Sequence, residues 1–179
     1  MPATTPKYAL PYPVPADPAD VPADMAALAN RLEIVLPMSA VFQRISHTQI
    51  VAAVTPAAVA EASSTVIVTA PAVNVIAGDV LLAEFFSPQV GTGLVAGNLV
   101  VGHLFDGATS LGNLFAVANP GSAAAGVPVL ARQYVSPAAG SHTFSIRARS
   151  TGQTGIIYAG AGGTGAYTPA WLDLWKLTP

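Results

Sequence analysis

Short apolar runs separated by turn-forming residues occupy the chain from Val41 onward, and they restrict the fold more than any other feature. Glycine, proline, asparagine and serine are frequent between the runs, which is typical of strands joined by turns. The runs are VFQRISHTQIV, STVIVTA, DVLLAEFF, NLVVGHLF, TSLGNLFAV, VPVLARQYV, SHTFSIRAR, TGIIYA and AWLDLWKL. They predict eight or nine strands and no long helix after Leu36. Residues 41–179 are therefore expected to form an antiparallel β-sandwich of jelly-roll type.

Two local patterns support this prediction. FDGAT at Phe105 to Thr109 contains an Asp-Gly pair, which is a hairpin signal. In SHTFSIRAR, apolar and polar residues alternate, so one face should point to the core and the other to water. The residues predicted to share the core-facing side are His142, Phe144, Ile146 and Ala148.

The last run, AWLDLWKL, is apolar on both faces. Trp171, Trp175 and Leu177 share one face, and Leu172 and Leu174 share the other. In a two-layer sandwich one face of each sheet normally meets solvent. A strand that is apolar on both sides therefore predicts a subunit interface at Trp171, Trp175 and Leu177.

Prolines are concentrated at the start of the chain, with six of them within residues 1–20. Repeatedly fixed φ angles and missing backbone donors exclude a helix or a central strand. We expect an extended, polyproline-like arm that docks on a partner, although a disordered tail would have the same composition. The predicted attachment residues are Tyr8, Leu10, Pro11, Tyr12, Pro13, Val14 and Pro15.

A short helix is predicted over residues 21–36. Asp20 can cap it, Pro22 falls in its first turn and Pro37 ends it. Its apolar residues repeat at spacings of four and three, which is a heptad pattern. They are Val21, Met25, Leu28, Leu32 and Val35. The pattern fits an oligomer seam that favours higher oligomers over dimers, and it fits equally a single amphipathic helix lying on the domain.

Charged residues make up only 9% of the chain. Between Glu84 and Arg147 only Asp106 and Arg132 are charged, so the surface there is either neutral or covered by another subunit. The seven basic residues are scattered, which argues against nucleic-acid binding. No apolar h-region follows Lys7 and no window resembles a membrane span, so we expect synthesis in the cytoplasm without a signal peptide and no membrane insertion.

No sequence motif indicates a particular catalysed reaction. GAGGTG fits the dinucleotide pattern through Gly160, Gly162 and Gly165, but no helix follows it, so a loop is expected. No histidine lies near a carboxylate at ligand spacing, and His142 is expected to be a hydrogen-bonded core residue. Asp79 and Glu84 should point to opposite faces of one strand. We therefore expect no cofactor, no metal, no catalytic residues and no enzyme activity.

The opening segment YALPYPVPADPADVPADMAALANRLE resembles the N-terminal module of structural proteins in tailed bacteriophages, namely small tail-fibre, minor tail and head-surface proteins. SPAAGSHTFSIRARSTGQTGIIYAGAGG and PAWLDLWKL resemble the final strands of phage jelly-roll modules. The resemblance implies a homotrimer whose N-terminal part attaches it to the virion. The chain lacks the long shaft of host-binding fibres, which favours a capsid decoration or a compact tail appendage.

Three hypotheses follow. The first is a non-enzymatic virion protein that binds other capsid or tail proteins. The second is recognition of host-surface glycan by the loops at Gly91–Asn98 and Gly160–Tyr167, near which lie Tyr158 and Tyr167. The third, a hydrolase of cell-surface polymer, requires clustered carboxylates, and the chain has nine acidic residues, three of them before Ala26.

Overall fold

A computed structural model of the protein describes residues 41–121, 126–153 and 155–178. It also describes the backbone of two short strands, β1 (Ala3–Thr4) and β2 (Pro11–Tyr12). The chain divides into two compact units. One comprises Met1–Val41 with Thr178–Pro179, and the other comprises Phe42–Leu177.

In the first unit, β1 and β2 pair in antiparallel orientation, with Ala3 opposite Tyr12 and Thr4 opposite Pro11. The prediction of an extended arm over residues 1–20 otherwise falls on residues outside the described ones. The remaining predicted attachment residues, Tyr8, Leu10, Pro13, Val14 and Pro15, lie outside the described residues. The predicted helix over residues 21–36, with its five seam residues, lies outside them too.

The second unit is built from strands. They are β3 (Val41–Ile50), β4 (Thr65–Thr69), β5 (Val73–Val75), β6 (Val80–Gly91), β7 (Leu99–Asp106), β8 (Thr109–Ala118), β9 (Gly126–Val135), β10 (Gly140–His142), β11 (Phe144–Ser150), β12 (Ile156–Tyr158) and β13 (Ala170–Thr178). One short 3-10 helix, η1 (Glu61–Ser63), precedes β4. Within residues 41–178, as far as they are described, no α-helix occurs, as predicted.

Two sheets contain the long strands. One has the order β3, β13, β6, β9, with β12 continuing the line of β13 along β6. The other has the order β4, β11, β7, β8. Within these two sheets, successive strands mostly alternate from one sheet to the other, and β7 and β8 are the one consecutive pair that forms a hairpin. This order is the connectivity of a jelly roll, so the predicted fold class is confirmed.

The core lies between the inner faces of these sheets. Leu81 and Phe85 of β6 and Leu172 and Leu174 of β13 are fully buried on one side. The facing sheet contributes fully buried residues from β7 and β11, namely Val100, Leu104, Phe144, Ile146 and Ala148. The alternation predicted for SHTFSIRAR is therefore correct from Phe144 onward.

Some boundaries differ from the predictions. SHTFSIRAR is divided at Thr143 into β10, which pairs with β5, and β11 in the large sheet. His142 consequently lies in the small β5–β10 pair and not in the core, so that expectation was wrong. β5 was not predicted. The Asp-Gly hairpin is confirmed, because Asp106 pairs with Thr109 and Gly107 has a positive φ of 56°.

Candidate functional site

The outer face of the β3–β13–β6–β9 sheet carries aromatic and aliphatic side chains in two rows, which we call the aromatic face. The register sets Leu130, Phe86 and Trp171 side by side across β9, β6 and β13. A second apolar row lies four residues away along β6, and a charged row separates it from the first. The second row contains Tyr134, Leu82 and Trp175, and Phe42 of β3 adjoins it.

Ring contacts order the centre of this face. Trp171 stacks on Phe86 with ring centroids 5.5 Å apart, and Trp175 lies 6.4 Å from Phe42. The periphery stays open, since Tyr134 is 64% exposed and Leu130 is 56% exposed. The predicted interface residues Trp171 and Trp175 thus lie on a solvent-facing apolar surface. Leu177, paired with Val80, is also partly buried on β13.

Between the apolar rows, charged residues neutralise one another. Glu84 accepts a hydrogen bond from the Arg132 guanidinium beside it on β9. Asp173, directly opposite Glu84 on β13, lies 2.6 Å from His47 Nδ1 and 3.6 Å from Arg44. Both carboxylates are buried, so these partners offset the cost of removing them from water.

A groove of about 290 Å³ lies on the same face. Its lining includes both apolar and charged members of the face, with Phe42 and Trp175 at one side and Arg132 at the other. The Trp175 indole nitrogen has no hydrogen-bond partner within the described part of the chain. A buried indole N–H of this kind usually donates to an acceptor.

A second candidate site, the tyrosine platform, consists of Tyr158, Tyr167 and Gln89. The two rings lie 4.8 Å apart at their centroids and are tilted by 38°. The Tyr167 hydroxyl donates to the side-chain oxygen of Gln89, which pairs with Tyr158 across β6 and β12. The structure thus brings together the two tyrosines that the glycan hypothesis relied on, and it adds Gln89, which sequence reasoning missed.

The loop at Gly91–Asn98 is held by one buried amide. Asn98 Oδ1 accepts from the Ser150 hydroxyl at 2.9 Å and from the Gly152 and Gln153 backbone at 2.8 and 3.2 Å. Asn98 Nδ2 donates to the carbonyl oxygens of Thr92 and Gln153. The loop predicted to contact a glycan is therefore fixed from inside, and no aromatic side chain lies in it.

Each histidine faces a carboxylate that is distant in sequence. His47 contacts Asp173, and His142 Nδ1 lies 2.5 Å from Asp106. Fully buried His103 lies 3.6 Å from Glu61. The pairs form only through strand register, so sequence spacing could not reveal them. Among the described residues, no group of three histidine and acidic side chains could hold a metal ion.

The environments of His142 and His103 shift their pKa values in opposite directions. The hydrogen bond that His142 donates to Asp106 raises the pKa of His142, whose other ring nitrogen lies 2.9 Å from the Ala138 carbonyl oxygen. Burial lowers the pKa of His103. A hydrogen bond from Ser110 lowers the pKa of Glu61. Asp106 and His142 also line a cavity of about 270 Å³ beside the loop at residues 136–138.

The other sequence motifs have structural roles. Gly160, Gly162 and Gly165 belong to the loop between β12 and β13, as expected. Asp79 lies 2.7 Å from the Lys176 ammonium, which lowers the pKa of that carboxyl, whereas Glu84 lies on the aromatic face. Within the described segments, no helix is long and apolar enough to cross a membrane.

Comparisons with known proteins add little to this picture. No protein-family model matches the chain, and no curated protein matches it. Among solved structures, the chain is similar to a carbohydrate-binding module from the Cellvibrio mixtus lichenase 5A in complex with cellotriose. The identity is 14%, the match covers 74% of this chain and 88% of that one, and the TM-score is 0.26. That similarity is too low to say anything about a ligand of this chain.

Proposed function

We propose that this chain is a non-enzymatic structural protein of a tailed-bacteriophage virion that assembles through the aromatic face, as a trimer, into a capsid decoration or a compact tail appendage. The observation that carries the proposal is the aromatic face itself. It places two tryptophans, two phenylalanines, a tyrosine and two leucines on the side of a sandwich sheet that normally meets water.

Burial of this face by a second copy is energetically favourable. Large apolar side chains contribute about 1.5 to 3 kcal/mol each when they leave water. Tyr134, Leu130 and Phe42 are all more than 40% exposed in the single chain, so much of that gain is still available. Aromatic residues are enriched at the centres of protein interfaces.

The charged row does not oppose assembly. Glu84 and Asp173 already have cationic or histidine partners within the chain, so covering them leaves no unpaired buried charge. The sparse charge of the whole chain acts in the same direction, because few side chains would lose hydration on association. A second copy is therefore a suitable occupant of this face.

Attachment to the virion is assigned to residues 1–20, on the resemblance of that segment to phage structural proteins. In this account the sandwich projects from the particle and the N-terminal segment binds a capsid or tail protein. Expression in the host cytoplasm precedes assembly, and the virion is the final location.

Binding to particles tests this function. Virions assembled without the chain are mixed with purified full-length chain and sedimented through a sucrose cushion, and the pellet is analysed by quantitative mass spectrometry. Full-length chain is expected in the pellet, and a variant that lacks residues 1–20 is expected in the supernatant with an unchanged melting curve. Absence of the full-length chain from the pellet would contradict the virion role. Equal pelleting of the truncated chain would assign attachment to the sandwich.

A further inference from the structure

We propose that the tyrosine platform is a binding site for neutral hexopyranose units of a glycan, with the sugar ring placed against the exposed ring of Tyr167. The proposal goes beyond the virion role and does not depend on oligomerisation. It rests on the exposure of the Tyr167 ring, on the way in which the backbone makes room for the platform, on fixed polar groups beside it and on the absence of charge.

The exposed ring of the platform belongs to Tyr167, which lies near the end of a loop of small residues. Tyr167 is 41% exposed and follows the sequence GAGGTGA, in which every side chain is small. Its ring packs against that of Tyr158, with centroids 4.8 Å apart, and this contact holds the exposed ring in place. The apolar C–H face of a pyranose packs on such an exposed ring, and tyrosine offers a large rigid contact area with little loss of side-chain freedom.

Three glycines leave the space that the platform needs. A Cβ on Gly91 would lie 3.1 Å from the Tyr158 ring. A Cβ on Gly126 would overlap the Gln89 amide, and one on Gly160 would overlap the backbone carbonyl of Tyr167. None of these three has a positive φ, so their conformation does not require glycine. Glycine suits all three positions because neighbouring groups approach too closely to leave room for a side chain.

Gln89 reaches the platform because β6 bulges at this point. The pairing of β6 with β9 shifts register between Ser87 and Val90. Pro88 and Gln89 therefore lie outside the regular β6–β9 ladder, while Gln89 still pairs with Tyr158 of β12 on the other side. The buried Ser87 hydroxyl bonds to the carbonyl oxygens of Gln89 at 2.9 Å and Tyr158 at 3.1 Å. Bulges of this kind redirect side chains and are frequent beside binding sites.

The loop is preorganised. The Gly160 backbone donates to Thr168 at 3.1 Å, Gly162 donates to Tyr167 at 2.9 Å and Ala166 donates to Gly163 at 3.2 Å. Such a loop loses little entropy when a ligand binds. The Tyr167 hydroxyl donates to Gln89, so its oxygen lone pairs remain to accept from a sugar hydroxyl.

The ligand is inferred to be neutral because the two segments that contain the platform residues carry no charged side chain. Residues 156–168 contain no acidic or basic side chain, and neither do residues 85–98. These two segments therefore offer a sialylated or sulfated sugar no cation to pair with, and they offer an amino sugar no carboxylate. Stacking with neutral hydrogen bonds is the chemistry that this surface offers.

Saturation-transfer NMR on the full chain tests the site with maltotriose, mannotriose and cellotriose as neutral probes and 3′-sialyllactose as an acidic one. At least one neutral probe is expected to bind, with the strongest transfer to ring protons on one face of the sugar. The Tyr167→Ala variant should weaken that binding at least tenfold. Val66→Ala removes part of a comparably exposed apolar side chain on β4, outside both the platform and the aromatic face, and should leave the affinity unchanged.

Two further variants separate ring stacking from misfolding. Tyr167→Phe keeps the ring and should retain most of the binding, whereas Gly126→Val should displace Gln89 and reduce it. Thermal melting of each variant confirms the fold. The proposal is overturned if no neutral probe binds at millimolar concentration, if Tyr167→Ala binds as tightly as the unmodified chain, or if only the sialylated probe binds. The solution mass of the protein is independent of all these outcomes.

Discussion

At the scale of single residues, buried polar side chains determine how the loops are held. Asn98 uses both ends of its amide, accepting from one loop and donating to two carbonyl groups. In the sequence, a lone asparagine beside glycines predicts a turn. That prediction is correct, but it does not identify the groups to which the amide is hydrogen-bonded. Its partners in the segment around Ser150 lie more than fifty residues away, so only the fold reveals them.

Replacement of Asn98 by alanine should destabilise the protein by about 2 to 4 kcal/mol, because it leaves several buried donors and carbonyl groups without partners. Urea denaturation followed by tryptophan fluorescence measures the change. Asn74→Ala, an exposed asparagine on β5, is the matched control and should shift stability by less than about 0.5 kcal/mol. Equal effects of the two substitutions would refute the role assigned to Asn98.

The histidines give a prediction for pH. The pKa of His142 is raised above its usual value of 6.5, so its contact with Asp106 stabilises the fold below pH 6.5 and is lost as pH rises through the higher folded value. The pKa of His103 is lowered, so its neutral buried state favours folding above pH 6.5, and that contribution is lost as pH falls toward the lower folded value.

NMR titration of the imidazole Cε1–H signals separates these two groups. His142 is expected to titrate above pH 6.5 and His103 below it, with assignments from His142→Gln and His103→Gln spectra. A reversed order of the two midpoints would show that the environments described above are wrong.

At the scale of elements, the sequence predicted most of the strands, and side-chain packing explains the rest. Alternation and turn residues located β3, β4, β6 to β9, β12 and β13 within a few residues. The division between β10 and β11 and the short β5 depend on each other, because each supplies the other's hydrogen bonds. No local pattern marks such a pair, and the bulge in β6 that positions Gln89 is set by the neighbouring strand.

The packing of β8 on β7 depends on a glycine, Gly102, whose lack of a side chain leaves room for a ring. Phe115 of β8 lies over Gly102 of β7 and stacks on Phe85 of the opposite sheet, with ring centroids 5.6 Å apart. A Cβ on Gly102 would overlap the Phe115 ring. The glycine therefore permits an aromatic contact that joins the two layers.

Gly102→Ala should destabilise the sandwich by about 1 to 3 kcal/mol through overpacking. Gly121→Ala makes the same chemical change where a Cβ would have open space, and it should be close to neutral. Differential scanning calorimetry on both variants checks this. A melting temperature for Gly102→Ala as high as that of Gly121→Ala would contradict the packing described here.

At the scale of the whole molecule, the jelly-roll order and the apolar last strand could both be anticipated, but the aromatic face could not. Trp171 and Trp175 were evident in AWLDLWKL, whereas Leu130, Tyr134 and Phe42 join them only through the order of strands in the sheet. The tyrosine platform also depends on strand order, because β12 places Tyr158 opposite Gln89 and leads into the loop that contains Tyr167. Sequence patterns identify strands and faces, and long-range register assembles the sites.

Solution mass, measured by size-exclusion chromatography with multi-angle light scattering at micromolar concentration, tests the central claim most directly. The full chain should have about three times the 18.1-kDa mass of one chain. The Leu130→Arg/Tyr134→Arg variant, which places charge on the aromatic face, should fall to a single chain. Val66→Arg, a similarly exposed apolar position on the other sheet, should keep the trimer mass. A folded full-length protein with the mass of one chain would contradict the account.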